Sequence, residues 1–170
     1  PNIFEDFLKG ATSIEKAVEE SGVKRFITVG GAGSLYISEN LQLIDTPEFP
    51  AEIKPGAEAA RQYLEIIKKN EVLDWTFFSP AIEMHQGTAG VRKGTYRTAL
   101  ENPVFDENGR SVLSVEDVAV ALVDELENNQ LTLKVITDEK IYNEKLEIEL
   151  QKENFENTFG IKLSMKEINN

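Results

Sequence analysis

The residues with chemical options are few, and the first of them follow a short apolar run. Lys24-Arg25-Phe26-Ile27-Thr28-Val29 leads into Gly30-Gly31-Ala32-Gly33-Ser34. Small residues after a strand let a ligand approach the backbone, and successive amides there form an anion-binding nest. The bland alternative is a tight turn that needs positive φ. Ser34 adds a hydroxyl able to donate to a substrate carbonyl. Further on, Leu73 to Phe78 runs into Ser79-Pro80-Ala81. Ser-Pro ends a strand in any fold, yet ligands of open α/β sheets bind at the carboxyl ends of strands. His85 falls in the loop after that run, where an imidazole is either solvated or a proton carrier. Arg92, Lys93 and Arg97 form a local basic cluster, which would either meet a phosphate or carboxylate or be a solvated hairpin.

The composition narrows what these groups can do. The chain has 170 residues, with 18 Lys and Arg against 30 Asp and Glu, a net charge of -12. Such a balance repels phosphate backbones and argues against sequence-independent binding of nucleic acid. Cysteine is absent and His85 is the one histidine. Disulfides, thiolate sites, thiol nucleophiles and mechanisms with two imidazoles are excluded, and no metal site is expected. No apolar run is long enough to span a membrane, and no signal-peptide pattern is present. The expectation is a soluble, cytoplasmic domain, and composition says nothing of its chemistry. The first residue is Pro1 and not Met, in keeping with a chain that lacks its beginning.

The elements that would position these groups alternate. Ile3, Phe4, Phe7 and Leu8 make one helical face up to Gly10. Thr12-Ser13-Ile14-Glu15 reads as the N-cap of a second helix, closed by Ser21-Gly22. Residues 24–29 form a buried strand, and 30–49 a loop. Pro55 suits the first turn of a helix carrying Ala57, Ala60, Tyr63, Leu64 and Ile67. Residues 73–78 are a second strand, 95–99 and 103–105 short strands, and Asn108-Gly109 a turn. Ser114-Val115-Glu116-Asp117 caps a third helix, with Asp124, Glu125 and Glu127 on a solvated face. Residues 131–136 read as a third strand, 139–157 as a helix.

This order predicts an α/β fold, a partial Rossmann-like three-layer arrangement around a mostly parallel sheet. Three strands are few for a parallel sheet, which needs both faces covered. The edge of the first strand needs a cover, from residues 1–11 or from a second chain as in a homo-oligomer.

Several short motifs, in order, resemble the C-terminal half of atypical short-chain dehydrogenases, specifically the NmrA-like and NADH-flavin-reductase-like group. They are Val23 to Leu35, Asp45-Thr46-Pro47 with Phe49-Pro50, Leu73-Asp74-Trp75-Thr76 with Ser79-Pro80, Gly94 to Arg97, Asn108 to Ser111, and Leu113 to Ala121 continuing through Glu127. The resemblance covers residues 12–137. It implies a partial NAD(P)-binding Rossmann-like domain over 1–137 and a helical extension of unknown role over 138–170. The family's glycine-rich cofactor turn has no counterpart. Gly10-Ala11-Thr12-Ser13 echoes one, but reads as a helix linker with a cap.

By resemblance, NAD(P) is the cofactor and a flavin or quinone a fitting small-molecule substrate. Gly30, Gly31, Ser79, Pro80 and Ala81 would lie at the cofactor, and Ser34, Lys54 and His85 are the catalytic candidates. Classical members pair a Tyr with a Lys four residues later, which depresses the phenol's pKa. Here Pro50 stands four residues before Lys54, so that dyad is absent and Lys54 reads more readily as a surface residue at a helix start. Two functions stay open: an NAD(P)-dependent oxidoreductase of the NADH-flavin-reductase type, or a non-catalytic NmrA-like binding module or inactive fragment.

Overall fold

A computed structural model describes residues 2–128. The expected strand at 131–136 and helix at 139–157, and with them the proposed extension over 138–170, lie outside the described residues.

Helix α1, Ile3–Ser21, is continuous. The expected break at Gly10 is corrected. Thr12 Oγ1 donates to Leu8 O at 2.8 Å and Ser13 Oγ to Lys9 O at 2.7 Å, so both hydroxyls are satisfied inside the helix and neither caps it. Apolar Phe7, Leu8, Ala11 and Val18 recur along one face across the supposed linker. Gly22, at φ 80°, closes the helix in the left-handed conformation, as its sequence suggests.

Strand β1, Arg25–Val29, runs parallel to β4, Asp74–Phe78, with Arg25 opposite Asp74 and Val29 opposite Phe78. Between them the chain makes a small hairpin of β2, Tyr36–Ser38, and β3, Leu41–Gln42, where a plain loop was expected. Two 3₁₀ turns flank it. Helix α2, Lys54–Ile67, then carries Pro55 in its first turn. Helix α3, Val115–Asn128, opens on Ser114, whose Oγ accepts from Asp117 N at 3.0 Å.

Alternation along β4 builds the layers. Trp75 and Phe77 face α1 and α2 and join Tyr63, Ile67 and Leu73 in one core. Thr76 and Phe78 face the other way, toward α3, where Phe78 meets Val118 and Ala121. The result is an α/β fold with helices on both faces of a parallel pair. The expected cover from residues 1–11 lies on a face of the sheet, through Phe7, Leu8 and Ala11, and not on the edge. On the side away from β4, β1 pairs with no strand among the described residues.

The segments 95–99 and 103–105 are irregular backbone and not strands. Their alternating side chains have no strand partner to meet. The chain there is held by single polar contacts.

Candidate functional site

An open cleft of about 760 Å³ runs along β4 from Trp75 to Phe78 and on past its carboxyl end, with Leu64 and Lys68 also in its lining. Its inner wall is Ser79-Pro80-Ala81, directly after β4. Ser34 lines it from the side of β1, and the loop from Thr95 to Leu100 lines it opposite. Its end at Ser79-Pro80-Ala81 lies where open α/β sheets place their ligands.

Gly30 and Gly31 sit beside the cleft and are not part of its lining. Gly30 N donates to Phe78 O at 2.9 Å, which extends the β1–β4 ladder by one step. A Cβ on Gly30 would fall 2.0 Å from the Phe77 ring, so close packing demands glycine here. The expected reason, positive φ, is corrected: among these glycines none has it. Gly31 is extended, and a Cβ there would meet nothing within 4 Å. Ser34 is buried, and its Oγ donates to Gly31 O at 3.3 Å. Its own carbonyl accepts from Gln42 Nε2 at 2.9 Å.

Two catalytic candidates stand away from the lining. Lys54 is exposed at the first residue of α2. His85 is exposed and caps a 3₁₀ turn over Gln86–Thr88, with Nδ1 accepting from Gly87 N at 3.0 Å. That bond requires an unprotonated Nδ1 and places the neutral ring's proton on Nε2. Gly87 and Thr88 reach the cleft, and His85 does not.

Residues 110–113 line the cleft, in the stretch where the 108–111 and 113–121 motifs meet. Glu83 and Val112 form a parallel bridge, with Glu83 N donating to Ser111 O at 2.8 Å and Leu113 N to Glu83 O at 3.2 Å. Arg110 clamps it: Nε donates to Glu83 Oε1 at 3.1 Å and Nη2 to Oε2. The Arg110 guanidinium holds the Glu83 carboxyl below the ordinary carboxylate range.

The outer loop is tied down by α3. Asp117, 2% exposed, accepts from Lys93 N at 3.0 Å, Gly94 N at 2.8 Å and Ser114 Oγ at 2.8 Å. Those bonds, the Ser114 hydroxyl's first, keep its carboxyl below its usual value. Glu116 takes Gly90 N at 2.8 Å. Tyr96 OH donates to Asp124 Oδ2 at 2.8 Å. Desolvation first, and then this carboxylate, raise the Tyr96 pKa, so the phenol keeps its proton. Sequence reasoning took Ser114 to Asp117 for a cap and Asp124 for a solvated face. The cap is there, but the same carboxylates also hold the loop. Only Gly90 and Gly94, both at positive φ, hinted at a fixed conformation.

Chemically, the cleft offers hydroxyls, backbone, cations and the carboxylates of Glu101, Asp106 and Asp117, the last of which accepts the Ser114 hydroxyl. Among the described residues no cluster of three or more His, Cys, Asp or Glu is placed to hold a metal.

Comparison with known proteins gives consistent neighbours. The family model described as NAD(P)H-binding matches residues 4–129. The uncharacterized protein YwnB of Bacillus subtilis is 40% identical over 106 residues, which are 61% of this chain and 49% of that protein. A solved structure from Bacteroides thetaiotaomicron, called a "putative epimerase", is 43% identical with a TM-score of 0.67, over 72% of this chain and 56% of the other. Another from Streptococcus pneumoniae, called a "putative NADH-flavin reductase", is 38% identical with a TM-score of 0.64, over 75% and 61%. The chain thus spans about half the length of the curated relative it matches.

Proposed function

Because this chain belongs to the NAD(P)H-binding family, we propose that it forms the substrate side of an NAD(P)H-dependent oxidoreductase that passes hydride to a flavin- or quinone-like acceptor. The observation that carries this reading is the wall of Ser79, Pro80 and Ala81 that the cleft presents past the carboxyl end of β4.

The residues present fit one end of the cofactor. Extended Gly31, with open space above its Cα, lets a ligand approach the backbone, and Ser79, Pro80 and Ala81 offer a wall for a flat ring. For the pyrophosphate, the described residues supply no glycine-rich turn between a strand and a helix, since Gly10 lies inside α1. When bound, the cofactor supplies the hydride. The chain's own residues position and exclude. Pro80 and Ala81 keep water from the ring, and the Ser79 hydroxyl orients an acceptor. Tyr96 commits its proton to Asp124, and His85 commits Nδ1 to Gly87. Flavins and quinones, which need little help from a protein acid, suit such a site.

The same commitments favour a second reading, a module that binds the cofactor without turning it over. One experiment separates the two. The purified chain is titrated with NADH and NADPH by calorimetry, with Trp75 fluorescence as a second signal because β4 leads from Trp75 into Ser79. Oxidation of the cofactor is then followed with riboflavin or menadione present. Micromolar binding with oxidation supports the reductase. Binding without oxidation supports the module. No binding at millimolar cofactor overturns both.

A further inference from the structure

We infer that the rim of the cleft at Gly87 and Thr88 is controlled by proton binding at His85: the neutral imidazole holds the turn over Gln86–Thr88, and the imidazolium releases it.

The turn is capped from both directions. Thr88 Oγ1 accepts from His85 N at 3.2 Å and donates to His85 O at 2.8 Å. Thr88 N donates to the same carbonyl at 2.9 Å. Those bonds join a hydroxyl to backbone groups, and none of them titrates. The remaining bond does. Gly87 N donates to His85 Nδ1 at 3.0 Å, and a ring nitrogen accepts only while it carries no proton. A proton on Nδ1 would face the amide hydrogen, donor against donor. The ring also sits tightly against the turn. A Cβ on Gly87 would lie 2.8 Å from the imidazole Cε1 and 3.0 Å from Nδ1. Gly87 is not among the glycines at positive φ, so the seat of the ring is what demands glycine there.

The surroundings give the charged ring a different partner. Glu83, two residues back, is the carboxylate that senses the charge of His85. Across the parallel bridge stand Arg110, which clamps Glu83, and Asp106. From α3 comes Glu116, engaged with Gly90 N at 2.8 Å. An amide therefore suits the neutral ring and a carboxylate the charged one. Histidine ordinarily changes charge between about pH 5 and 8, and His85 is the one histidine in the sequence. No second imidazole shares the response. Gly87 and Thr88 belong to the lining, so release of the turn loosens one edge of the cleft and leaves Ser79, Pro80 and Ala81 in place.

Nitrogen-15 NMR of the full chain tests this without a ligand, so the result does not depend on what the cleft accepts. The imidazole and the Gly87 amide are followed together from about pH 8 to about pH 5. At the upper end the ring proton sits on Nε2. As the ring protonates, the Gly87 amide shift moves with the same midpoint. Its protection from exchange, corrected for the intrinsic rate, falls about fivefold, the worth of one ordinary hydrogen bond. His85→Asn keeps a capping acceptor that does not titrate, and Gly87 then stays protected across the range. Gly87→Ala displaces the ring, and the amide at position 87 no longer follows the imidazole. A Gly87 amide indifferent to the imidazole in the unmodified chain overturns the switch, as does a neutral ring protonated on Nδ1. An unchanged pH response in His85→Asn overturns it too, because another group would then be its source.

Discussion

The two faces of the β1–β4 pair are built on different principles. Toward α1 and α2 the core is apolar, built of Tyr63, Ile67, Leu73, Trp75 and Phe77, all at most 4% exposed, with polar contacts gathered at its margin where Asn70 bonds Glu15, Glu19 and the Trp75 indole. Toward α3 the sheet meets a buried carboxylate, Glu125 at 2% exposed, held by Arg25 and by Thr76 Oγ1 at 3.0 Å. The first face depends on volume and is indifferent to which apolar neighbour supplies it. The second depends on individual donors and acceptors, and it continues into the loop latch at Asp117. The cleft opens beside this second face. A site whose walls are irregular backbone needs such point-by-point anchoring, because no ladder of hydrogen bonds holds it.

Trp75→Ala tests the first principle. It leaves a large void between α2 and the sheet and costs about 3–5 kcal/mol, the range for truncating a buried aromatic. Urea unfolding measures it, with the loss of midpoint as readout. A loss under about 1 kcal/mol would show that α1 and α2 collapse onto the sheet, and that this face is not close-packed.

That apolar face is also the part most legible in the sequence. Spacings of three and four along α2, the runs ending at Val29 and Phe78, and Pro55 at the helix start all marked their elements. Helix α3 was legible from Ser114 and the acids after it. Where reading failed, local signals had two meanings. Thr12 and Ser13 are ordinary cap residues, but here they bond back to the preceding turn because the apolar stripe runs on past them. Glycine at 30 suggested a turn, whereas its reason is the ring of Phe77, 47 positions away in the chain. The pairing of Arg25 with Glu125 joins residues 100 apart, and no periodicity reports such a contact. Ser79-Pro80-Ala81 and Ser34, singled out in the sequence because they follow strands, line the cleft. The latch at Asp117 was not legible, since its cap hides its second task.

The polar face breaks differently. Glu125→Leu leaves the Arg25 guanidinium, 19% exposed, without its buried partner, and costs about 3 kcal/mol, the low end for a broken buried pair. Adding Arg25→Met to that variant recovers most of the loss, because replacing both charges with apolar groups of similar size is often nearly neutral. Trp75→Ala has no such single-site rescue. Urea midpoints of the two single variants and the double decide the matter. A double variant as unstable as Glu125→Leu would mean that the pair contributes more than mutual neutralisation, and that the two faces are less different than described.

The smallest effect is local and follows from Asp117. Its carboxyl titrates below the ordinary aspartate value of 3.8 because the ionised form accepts the Ser114 hydroxyl and the amides of Lys93 and Gly94. A group with a depressed folded pKa contributes stability above its unfolded value, and that contribution is lost as pH falls through the folded one. The latch is therefore whole at neutral pH and weakens only below the ordinary aspartate range. Amide exchange at Lys93 and Gly94 should accelerate there, after correction for the intrinsic rate, while amides of β4 beneath Trp75 stay protected. Asp117→Asn reproduces the loosening at neutral pH: the amide oxygen still accepts, but without charge, and its NH2 cannot accept the Ser114 hydroxyl's bond. Global stability changes little, and exchange at the two amides rises several-fold. If β4 and the loop lose protection together, the loop belongs to the same cooperative unit as the apolar face, and the contrast between the two faces is one of chemistry alone and not of dynamics.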